Sequence, residues 1–526
     1  MSESRNAEDS FGARIEYLQS MLGERFVSWF FGDFDGPTPE QVSVMEWIRS
    51  NAWIERREEV LWVWGSLLRA PSEEAPSIVH QLREFMGSSG GDDEFDCSEG
   101  DALQRALCRL TVQSFGELLI YEHTGFKLST EFGSQAYRSA IAAIREDPDL
   151  PFSGDVAEMD PLYMSLTLGS VGMLQLAIVP ESLMYAAWSL VNLKMKAPTL
   201  GDLVAEIPSV IAGARQGFTR SKMPGLGVAS LSGIVGPPGV SVPLPWGTLR
   251  SAHGSEHPWQ PPQTGLNSVR TIHHEDGREV SIYDRGDVVL STDITVGCRY
   301  FTVDEGSEAE IPAPGRKAAE ILSERIEVAR LAFLLAWGGE DVPVLVPAWS
   351  RIVVPIRPGD SWGITDLSQF AFRTPTEVTQ EFMSEWGEWI YRLGGVNFRR
   401  ISLAAQRLLR ASAERRDPQD ALVDAVIAWE SLFGSETEIS FKISASLALL
   451  ICSTGEERVK FRKRAAEIYS MRSRLVHGAE VNAGQISDAS REAIRVGRQA
   501  LRALVRDRPD LIDMTSAERA TTLILR

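Results

Sequence analysis

An arginine, a serine and a histidine lie close together in EIYSMRSRLVHGAEV, residues 467–481. Arg472 and His477 enclose four residues, and Ser473 directly follows the arginine. Histidine can take or give a proton near neutral pH, and arginine holds a permanent positive charge that suits phosphate oxygens. Such a pair could act on a phosphodiester. The spacing alone also fits an exposed arginine and a helix-terminal histidine that have no chemical role.

The motif is the last of three segments that occur in a characteristic order. Residues 420–434 (DALVDAVIAWESLFG) are an apolar stretch that carries Glu430 and ends in glycine. The apolar segment TEISFKISASLALLI follows, and Tyr469 precedes RSRLVHG, residues 472–478. Together these segments resemble the HEPN superfamily of helical nucleotide-binding and RNase domains, in particular its Apea-like branch of prokaryotic defence proteins. The resemblance covers roughly residues 420–478 and none of the first 370 residues.

This resemblance implies a metal-independent endoribonuclease that needs no cofactor. It implies that Arg472 binds phosphate and stabilises transition-state charge, that His477 transfers protons, and that Ser473 supports them. The 2′-hydroxyl of RNA can attack the neighbouring phosphorus and leave a 2′,3′-cyclic phosphate, whereas DNA lacks that hydroxyl. Tyr469 and Glu430 are candidate supporting residues. Glu430 either pairs with Arg472 to position it or is a partly exposed surface acid.

The resemblance also predicts a biological setting. We expect an anti-phage effector that cleaves RNA in the infected cell, with a phage-derived trigger and an N-terminal sensor or regulatory region. The alternative is a non-catalytic HEPN module that binds a nucleotide, RNA or a partner protein. Ser473 keeps this alternative open, because many relatives have asparagine, aspartate or histidine at that position.

Helix geometry adds a prediction about assembly. Residues five apart on a straight helix point about 140° from each other. One copy of Arg472 and His477 is therefore not expected to make a tight site unaided. HEPN domains commonly pair so that both motifs line a shared cleft, and this analogy predicts a homodimer through the C-terminal domain.

The distribution of charge favours the C-terminal region for contact with RNA. The net charge of −19 argues against a protein that coats nucleic acid through bulk electrostatics. Residues 401–526 contain 20 Lys/Arg and 17 Asp/Glu, a net of +3, so the rest of the chain must carry −22. On the helix predicted at 487–506, arginines recur at steps of three or four residues and so share one face. This face could contact phosphates, or it could be a solvated face balanced by acids. The candidate RNA-binding residues are Arg474, Arg491, Arg495, Arg498 and Arg502.

The elements around these residues predict an α+β multidomain fold. We expect a mostly helical region at 1–150, a mixed α/β accessory or sensor domain at 151–375 and an all-α HEPN bundle at 376–526. In the N-terminal region, apolar spacing predicts helices at 41–68, 75–85, 101–121 and 134–145. In the C-terminal region it predicts helices at 376–393, 401–414, 418–433, 440–452, 456–476 and 487–506.

The middle region shows the patterns of strands. Alternating and β-branched runs predict strands at 163–179, 280–290, 293–302 and 344–355, and apolar spacing predicts helices near 201–213 and 315–337. Residues 223–247 are rich in Gly and Pro, which predicts a loop or irregular edge.

Cysteine usage and hydropathy bear on the compartment. The cysteines show no zinc-binding spacing, and we expect neither a metal site nor a disulfide framework, as in a reducing cytosol. The uncharged runs 161–180 and 223–249 contain polar or helix-breaking residues and are not expected to span a membrane. These features predict a cytoplasmic protein without membrane contact. The four cysteines are Cys97, Cys108, Cys298 and Cys452.

Overall fold

The structure is a computed structural model, which combines helices with an antiparallel sheet in the middle of the chain. This mixture confirms the predicted α+β class. The predicted domain borders stay predictions, since α10 (Lys317–Ala336) packs against both the sheet and the C-terminal helices. The structure describes residues 2–32, 36–69, 77–88, 95–121, 134–152, 162–194, 198–252, 269–273, 279–283, 288–301, 315–339, 342–356, 362–365 and 375–525.

The N-terminal region is helical, as predicted. The predicted helix at 41–68 is in fact two helices, α3 and α4, and the first two helices were not predicted. Phe26 and Phe30 each pack edge-on against Trp64, with ring centroids 5.4 Å apart, so aromatic burial joins α2 to α4. The helices are α1 (Ser2–Leu22), α2 (Glu24–Phe31), α3 (Pro39–Asn51), α4 (Arg57–Leu68), α5 (Ile78–Phe85), α6 (Ala102–Tyr121) and α7 (Gln135–Glu146).

One expectation about cysteine is wrong. Cys97 and Cys108 form a disulfide, whereas Cys298 and Cys452 are free thiols. The segment before α6 runs back along that helix, which brings the two Cα atoms within 5.6 Å, a separation that a disulfide spans. Cysteine usage therefore does not support a reducing compartment.

A central antiparallel sheet occupies the middle of the chain. Its strand order is β11-β10-β3-β9-β1-β2, and β6 pairs with both β9 and β5. Strand β9 lies at its centre, with β3 along one edge and β1 and β6 along the other. Two further pairs, β4–β12 and β7–β8, form separate two-stranded sheets. The strands of the described residues are β1 (Leu162–Leu166), β2 (Ser170–Leu174), β3 (Lys222–Ser232), β4 (Ile234–Val235), β5 (Ser241–Leu244), β6 (Gly247–Ser251), β7 (Val269–His273), β8 (Glu279–Tyr283), β9 (Val288–Phe301), β10 (Val346–Val353), β11 (Trp362–Ile364) and β12 (Thr376–Glu377).

The prediction of a loop or irregular edge at 223–247 is wrong for β3, which lies inside the central sheet between β10 and β9. The rest of the stretch holds the short β4, the strand β5 and the first residue of β6. The glycines of β3 allow close packing. A Cβ atom on Gly227 would lie 2.4 Å from Cδ1 of Ile294 and 3.1 Å from Leu322 of α10. Glycine here makes room for neighbouring side chains, and so it does not signal a turn. Residues 284–287, inside the strand predicted at 280–290, lie outside the described residues.

Two helices, α8 (Val179–Lys194) and α9 (Leu200–Arg220), connect the first strand pair to β3. The pair β1–β2 confirms the strands predicted within 163–179, whereas α8 was not predicted. In the described part of the chain, the stretch Leu176–Lys194 is long and apolar enough to cross a membrane. Its apolar window is 61% buried inside the fold, as in the core helix of a soluble protein.

All six predicted C-terminal helices are found, and a seventh, α17, was not predicted. Helix α13 begins as predicted, with Asp417 accepting a hydrogen bond from the Gln419 N–H and Pro418 at the first helical position. It packs against α12 and α14 to α17 and so forms the centre of the bundle. The helices are α11 (Gln380–Gly394), α12 (Ser402–Leu409), α13 (Pro418–Phe433), α14 (Ile439–Ile451), α15 (Gly455–Val476), α16 (Ala483–Arg506) and α17 (Ser516–Leu525).

Arg519 of α17 fastens the C-terminal end of α13. Its side chain is 1% exposed, and Nη1 donates to the carbonyl of Leu432, one of the last carbonyls of α13. Nε donates to the carbonyl of Leu511, and Nη2 to those of Ile512 and Met514. The guanidinium thus satisfies carbonyls that a helix end and a turn leave without intrahelical partners.

We predict that Arg519→Met destabilises the protein by about 3 kcal/mol or more, because several enclosed carbonyls lose their donors. Urea unfolding followed by circular dichroism measures this change. The matched control is Arg508→Met, which removes a surface ion pair with Asp510 and should cost less than about 1 kcal/mol. Equal midpoints for the two variants would contradict the role given to Arg519.

Candidate functional site

Glu430 on α13 receives hydrogen bonds from two side chains of α15. Tyr469 Oη donates to Glu430 Oε1 at 2.8 Å, and Arg472 Nη2 donates to Glu430 Oε2 at 3.3 Å. Tyr469 and Arg472 are three residues apart and so lie on one face of α15. Both oxygens of a single carboxylate thereby hold α15 against α13. The sequence allowed Glu430 to be either a partner of Arg472 or a surface acid, and in the structure it pairs with Arg472.

This contact is partly shielded from solvent. The side chains of Arg472 and Glu430 are 21% and 27% exposed. Arg472 Nε is enclosed and has no hydrogen-bond partner among the described residues. Burial and the hydrogen bond to Glu430 raise the pKa of Tyr469 to about 12. Because solvent and salt screen such a contact less than a fully exposed one, it can fix the direction of the guanidinium.

His477 lies where α15 ends, and the backbone around it is tightly defined. Gly478 has φ +76°, a left-handed conformation that glycine adopts without strain. The N–H groups of Gly478 and Ala479 donate to the carbonyls of Leu475 and Arg474, each at 3.0 Å. This is the Schellman motif, in which glycine ends a helix and satisfies its last carbonyls. The glycine that follows the histidine therefore explains why His477 has a fixed position on the surface.

Arg472 and His477 have different surroundings in one chain. The arginine points towards Glu430 on α13, whereas the histidine is exposed at the helix end. No hydrogen bond or ion pair joins the two side chains in the part of the chain that the structure describes. Ser473 is half-buried between them, and its carbonyl accepts the backbone N–H of His477 at 3.2 Å. The three residues share one helix end, but among the described residues no hydrogen bond or ion pair joins their side chains.

The candidate RNA-binding arginines differ in their surroundings. Arg474 is exposed beside the motif. Arg491 is exposed and pairs with Asp488 at 2.6 Å. Arg495 lies 3.7 Å from Glu492, a longer and weaker contact. The arginines at 491, 495, 498 and 502 form a stripe along one face of α16, and surface acids balance part of it, as the solvated-face interpretation expects.

The other two arginines of the stripe are not fully exposed. Arg498 is only 5% exposed, which contradicts its placement on a solvent-facing RNA surface. Arg502 lies over the ring of Trp389 on α11, with its Cζ atom 5.5 Å from the ring centroid. Helical periodicity correctly places both on one face of α16, but it cannot show that neighbouring elements cover part of that face.

Two residues that position α13 were missed by sequence reasoning. Arg519 supports the end of the helix, and nothing in the sequence distinguishes it from other arginines. Asp424 is buried on α13 and pairs with Arg407 and Arg415 at 2.6 and 2.7 Å. It is an acid within an apolar helix, which is the same signal that singled out Glu430, so it could have been found.

The described residues contain no cluster of three or more His, Cys, Asp or Glu side chains arranged as metal ligands. No family model, curated protein or solved structure matches the chain. Any assignment to a family therefore rests on the residues themselves and on their geometry.

The cap at His477 makes a prediction about glycine. Gly478→Ala should destabilise the protein by about 1 kcal/mol, since alanine is strained at φ +76° even though nothing lies near its Cβ. Gly455→Ala, at the first position of the same helix, also meets open space but has no positive φ, so it should be neutral or stabilising. Thermal unfolding of both variants provides the measurement. A loss of stability in both variants, or in neither, would contradict the role given to Gly478 in ending α15.

The raised pKa of Tyr469 makes a prediction about pH. A phenol whose pKa rises on folding stabilises the fold fully below about pH 10, its unfolded pKa, and this contribution is lost as pH rises towards about 12. Tyr469→Phe should therefore lose less stability than wild type between these pH values, as measured by urea unfolding. Tyr391→Phe, at an exposed position, should decline like wild type. Part of the decline should remain in Tyr469→Phe, because burial also raises the pKa of Tyr17, Tyr137 and Tyr300. A decline as steep as that of wild type would contradict the contribution of Tyr469.

Proposed function

We propose that this protein is a metal-independent endoribonuclease of the HEPN type. The observation that carries the proposal is the geometry of one helix end. Glu430 holds the guanidinium of Arg472, and five residues later a glycine cap holds His477 on the surface. A cation with a fixed direction and an accessible imidazole on a defined backbone are the two groups that transesterification of RNA requires.

The chemistry assigns one role to each side chain. The 2′-oxygen of a ribose attacks the adjacent phosphorus, and the bond from phosphorus to the 5′-oxygen breaks. This gives a 2′,3′-cyclic phosphate and a 5′-hydroxyl. His477 transfers a proton at the attacking or leaving oxygen, Arg472 stabilises charge on the non-bridging oxygens, and Ser473 supports the phosphate by hydrogen bonding. Glu430 and Tyr469 act as positioning residues for Arg472.

We propose that the active form is a homodimer through the C-terminal domain. In one chain Arg472 is held by Glu430 while His477 is exposed where α15 ends, so a second copy would be needed to complete a cleft. In such a dimer the arginine of one chain and the histidine of its partner could meet at one phosphodiester. Arg474, which is exposed beside the motif, would contact the backbone of the bound RNA.

We further propose a cytoplasmic anti-phage effector in which residues 1–375 sense a phage-derived trigger or restrain the nuclease. The N-terminal 400 residues carry a net charge of −22, which would repel RNA from the cleft until it is activated. Release of residues 376–526 by limited proteolysis with no rise in RNase activity would contradict this restraint.

The central prediction concerns cleavage of labelled RNA in the presence of EDTA. Wild type should leave 2′,3′-cyclic phosphate ends, and His477→Ala and Arg472→Ala should each lower the rate about 10²-fold or more. DNA of the same sequence should not be cut, because it lacks the attacking hydroxyl. Ser473→Ala should also lower the rate, because it removes the hydrogen bond that we propose to the phosphate. The control Ser470→Ala, at an exposed serine of the same helix, should cleave like wild type.

A mixture of the two inactive variants tests whether two copies of the chain share one active site. Partial recovery of activity in a mixture of Arg472→Ala and His477→Ala would support a site shared between two copies. Cleavage that persists in His477→Ala would overturn the nuclease proposal. Equal RNA binding without cleavage by wild type and both variants would favour the alternative, a non-catalytic binding module. The residue that keeps this alternative open is Ser473, where many members of the resembled family have asparagine, aspartate or histidine.

A further inference from the structure

Arg498 on α16 is a buried cation whose charge no described residue compensates. Its side chain is 5% exposed, and both Nε and Nη1 are enclosed without a hydrogen-bond acceptor. No described residue forms an ion pair with it. Burial, and then the nearby charges of Arg502 and Arg495, lower the pKa of Arg498. Arginine nevertheless stays protonated at neutral pH, so a full positive charge is enclosed without a counter-charge.

The neighbours of Arg498 add positive charge. Arg495 precedes it by three residues and Arg502 follows it by four, so the three guanidiniums share one face of α16. Among the acids that the structure describes, only Glu492 pairs with any of them, at 3.7 Å from Arg495, and it also binds Arg464 at 2.8 Å. Glu492 thus pairs with two arginines, and its shorter contact is with Arg464 rather than with Arg495. We name Arg495, Arg498 and Arg502 the α16 arginine triad.

The other contact of the triad is aromatic. Arg502 lies over the ring of Trp389, and so does Arg392 of α11, with their Cζ atoms 5.5 and 5.3 Å from the ring centroid. The indole is 2% exposed, so it cannot stack on a nucleobase. It can hold Arg502 in place beside Arg498 by a cation–π contact, which does not neutralise the charge. The site therefore suits a compact anion, and it offers no surface for a base.

We propose that the α16 arginine triad binds a phosphate group. Enclosing a charge costs several kcal/mol unless a partner compensates it. Guanidinium N–H groups match the spacing of phosphate oxygens, and three positive charges favour a dianion over a monovalent carboxylate. All three candidate sources, a free phosphate, a mononucleotide and an RNA backbone, present phosphate oxygens to the guanidiniums. The charge argument favours the first two, because their terminal phosphate carries close to two negative charges at neutral pH whereas each RNA diester carries one.

This site is separate from the motif at the end of α15. Arg498 lies fifteen residues after the first residue of α16, which is about 22 Å along the helix at 1.5 Å per residue. His477 precedes the start of α16, so the triad and the helix end that carries His477 are far apart. The proposal does not depend on nuclease activity, and its test measures binding alone.

The test is thermal unfolding of the full chain in buffers of matched ionic strength. Inorganic phosphate, adenosine monophosphate and a short RNA are the three phosphate sources, and acetate and potassium chloride are the controls. Inorganic phosphate at saturation should raise the unfolding midpoint of wild type by about 2 °C, whereas acetate and chloride should not. The order of affinity for the three sources identifies the one that the site prefers.

Variants assign the effect to the triad. In Arg498→Met the affinity for phosphate should fall at least about tenfold, and Arg502→Gln should also weaken it. The matched control Arg491→Met removes an exposed arginine of the same helix and should keep the wild-type shift. Without phosphate, Arg498→Met should unfold no more readily than wild type, since it removes an uncompensated buried charge.

Three results would overturn the proposal. The first is a wild-type protein that no phosphate source stabilises beyond the chloride control. The second is an equal shift in wild type and Arg498→Met, which would locate the anion elsewhere. The third is an Arg498→Met protein that is less stable than wild type, or unfolded, in phosphate-free buffer, because Arg498 would then already have a favourable partner in the free protein.

Discussion

A charged group that leaves water must be compensated, and this constraint determines where α13 lies. Asp424, near its start, is enclosed and binds Arg407 and Arg415. Glu430, two turns later, accepts hydrogen bonds from Tyr469 and Arg472. At its end, Arg519 donates to the carbonyl of Leu432. Each contact joins α13 to a different neighbouring element, so the helix has little freedom to rotate or slide, and Glu430 is presented to α15 in one orientation.

The same constraint explains how one helix can carry a partly buried arginine and an exposed histidine. Arg472 points inward because a carboxylate on the central helix compensates its charge. His477 needs no such partner, because it follows the last helical turn and remains in solvent. The two groups are thus placed by different means, one by an ion pair and the other by backbone geometry at Gly478. A substitution at Glu430 would therefore disturb the arginine and leave the histidine in place.

Much of the helical structure could be predicted from the sequence. Helix α13 has the predicted bounds, because Asp417, Pro418 and Gly434 are strong local signals at its two ends. Strand β3 was missed because its glycines serve tertiary packing against Ile294 and Leu322, which no local pattern shows. Helix α8 was missed because its apolar residues occupy nearly every face, so the periodicity of an amphipathic helix is absent. The candidate site likewise has features that local sequence predicts and features that depend on tertiary packing. Spacing brings together Arg472, Ser473 and His477 on one helix end, but the burial of Arg498 depends on elements distant in sequence.

The position of β9 in the sheet has a consequence for synthesis of the chain. Strand β1 ends at residue 166 and β3 at residue 232, yet both pair with a strand that begins at residue 288. As the chain leaves the ribosome, the edges of β1 and β3 that face β9 therefore have no partner until more than fifty further residues have been made. Unpaired edges of this kind attract other extended chains. Folding of the middle region is thus expected to be slow compared with that of the helical regions, and the nascent chain has most need of chaperones before β9 emerges.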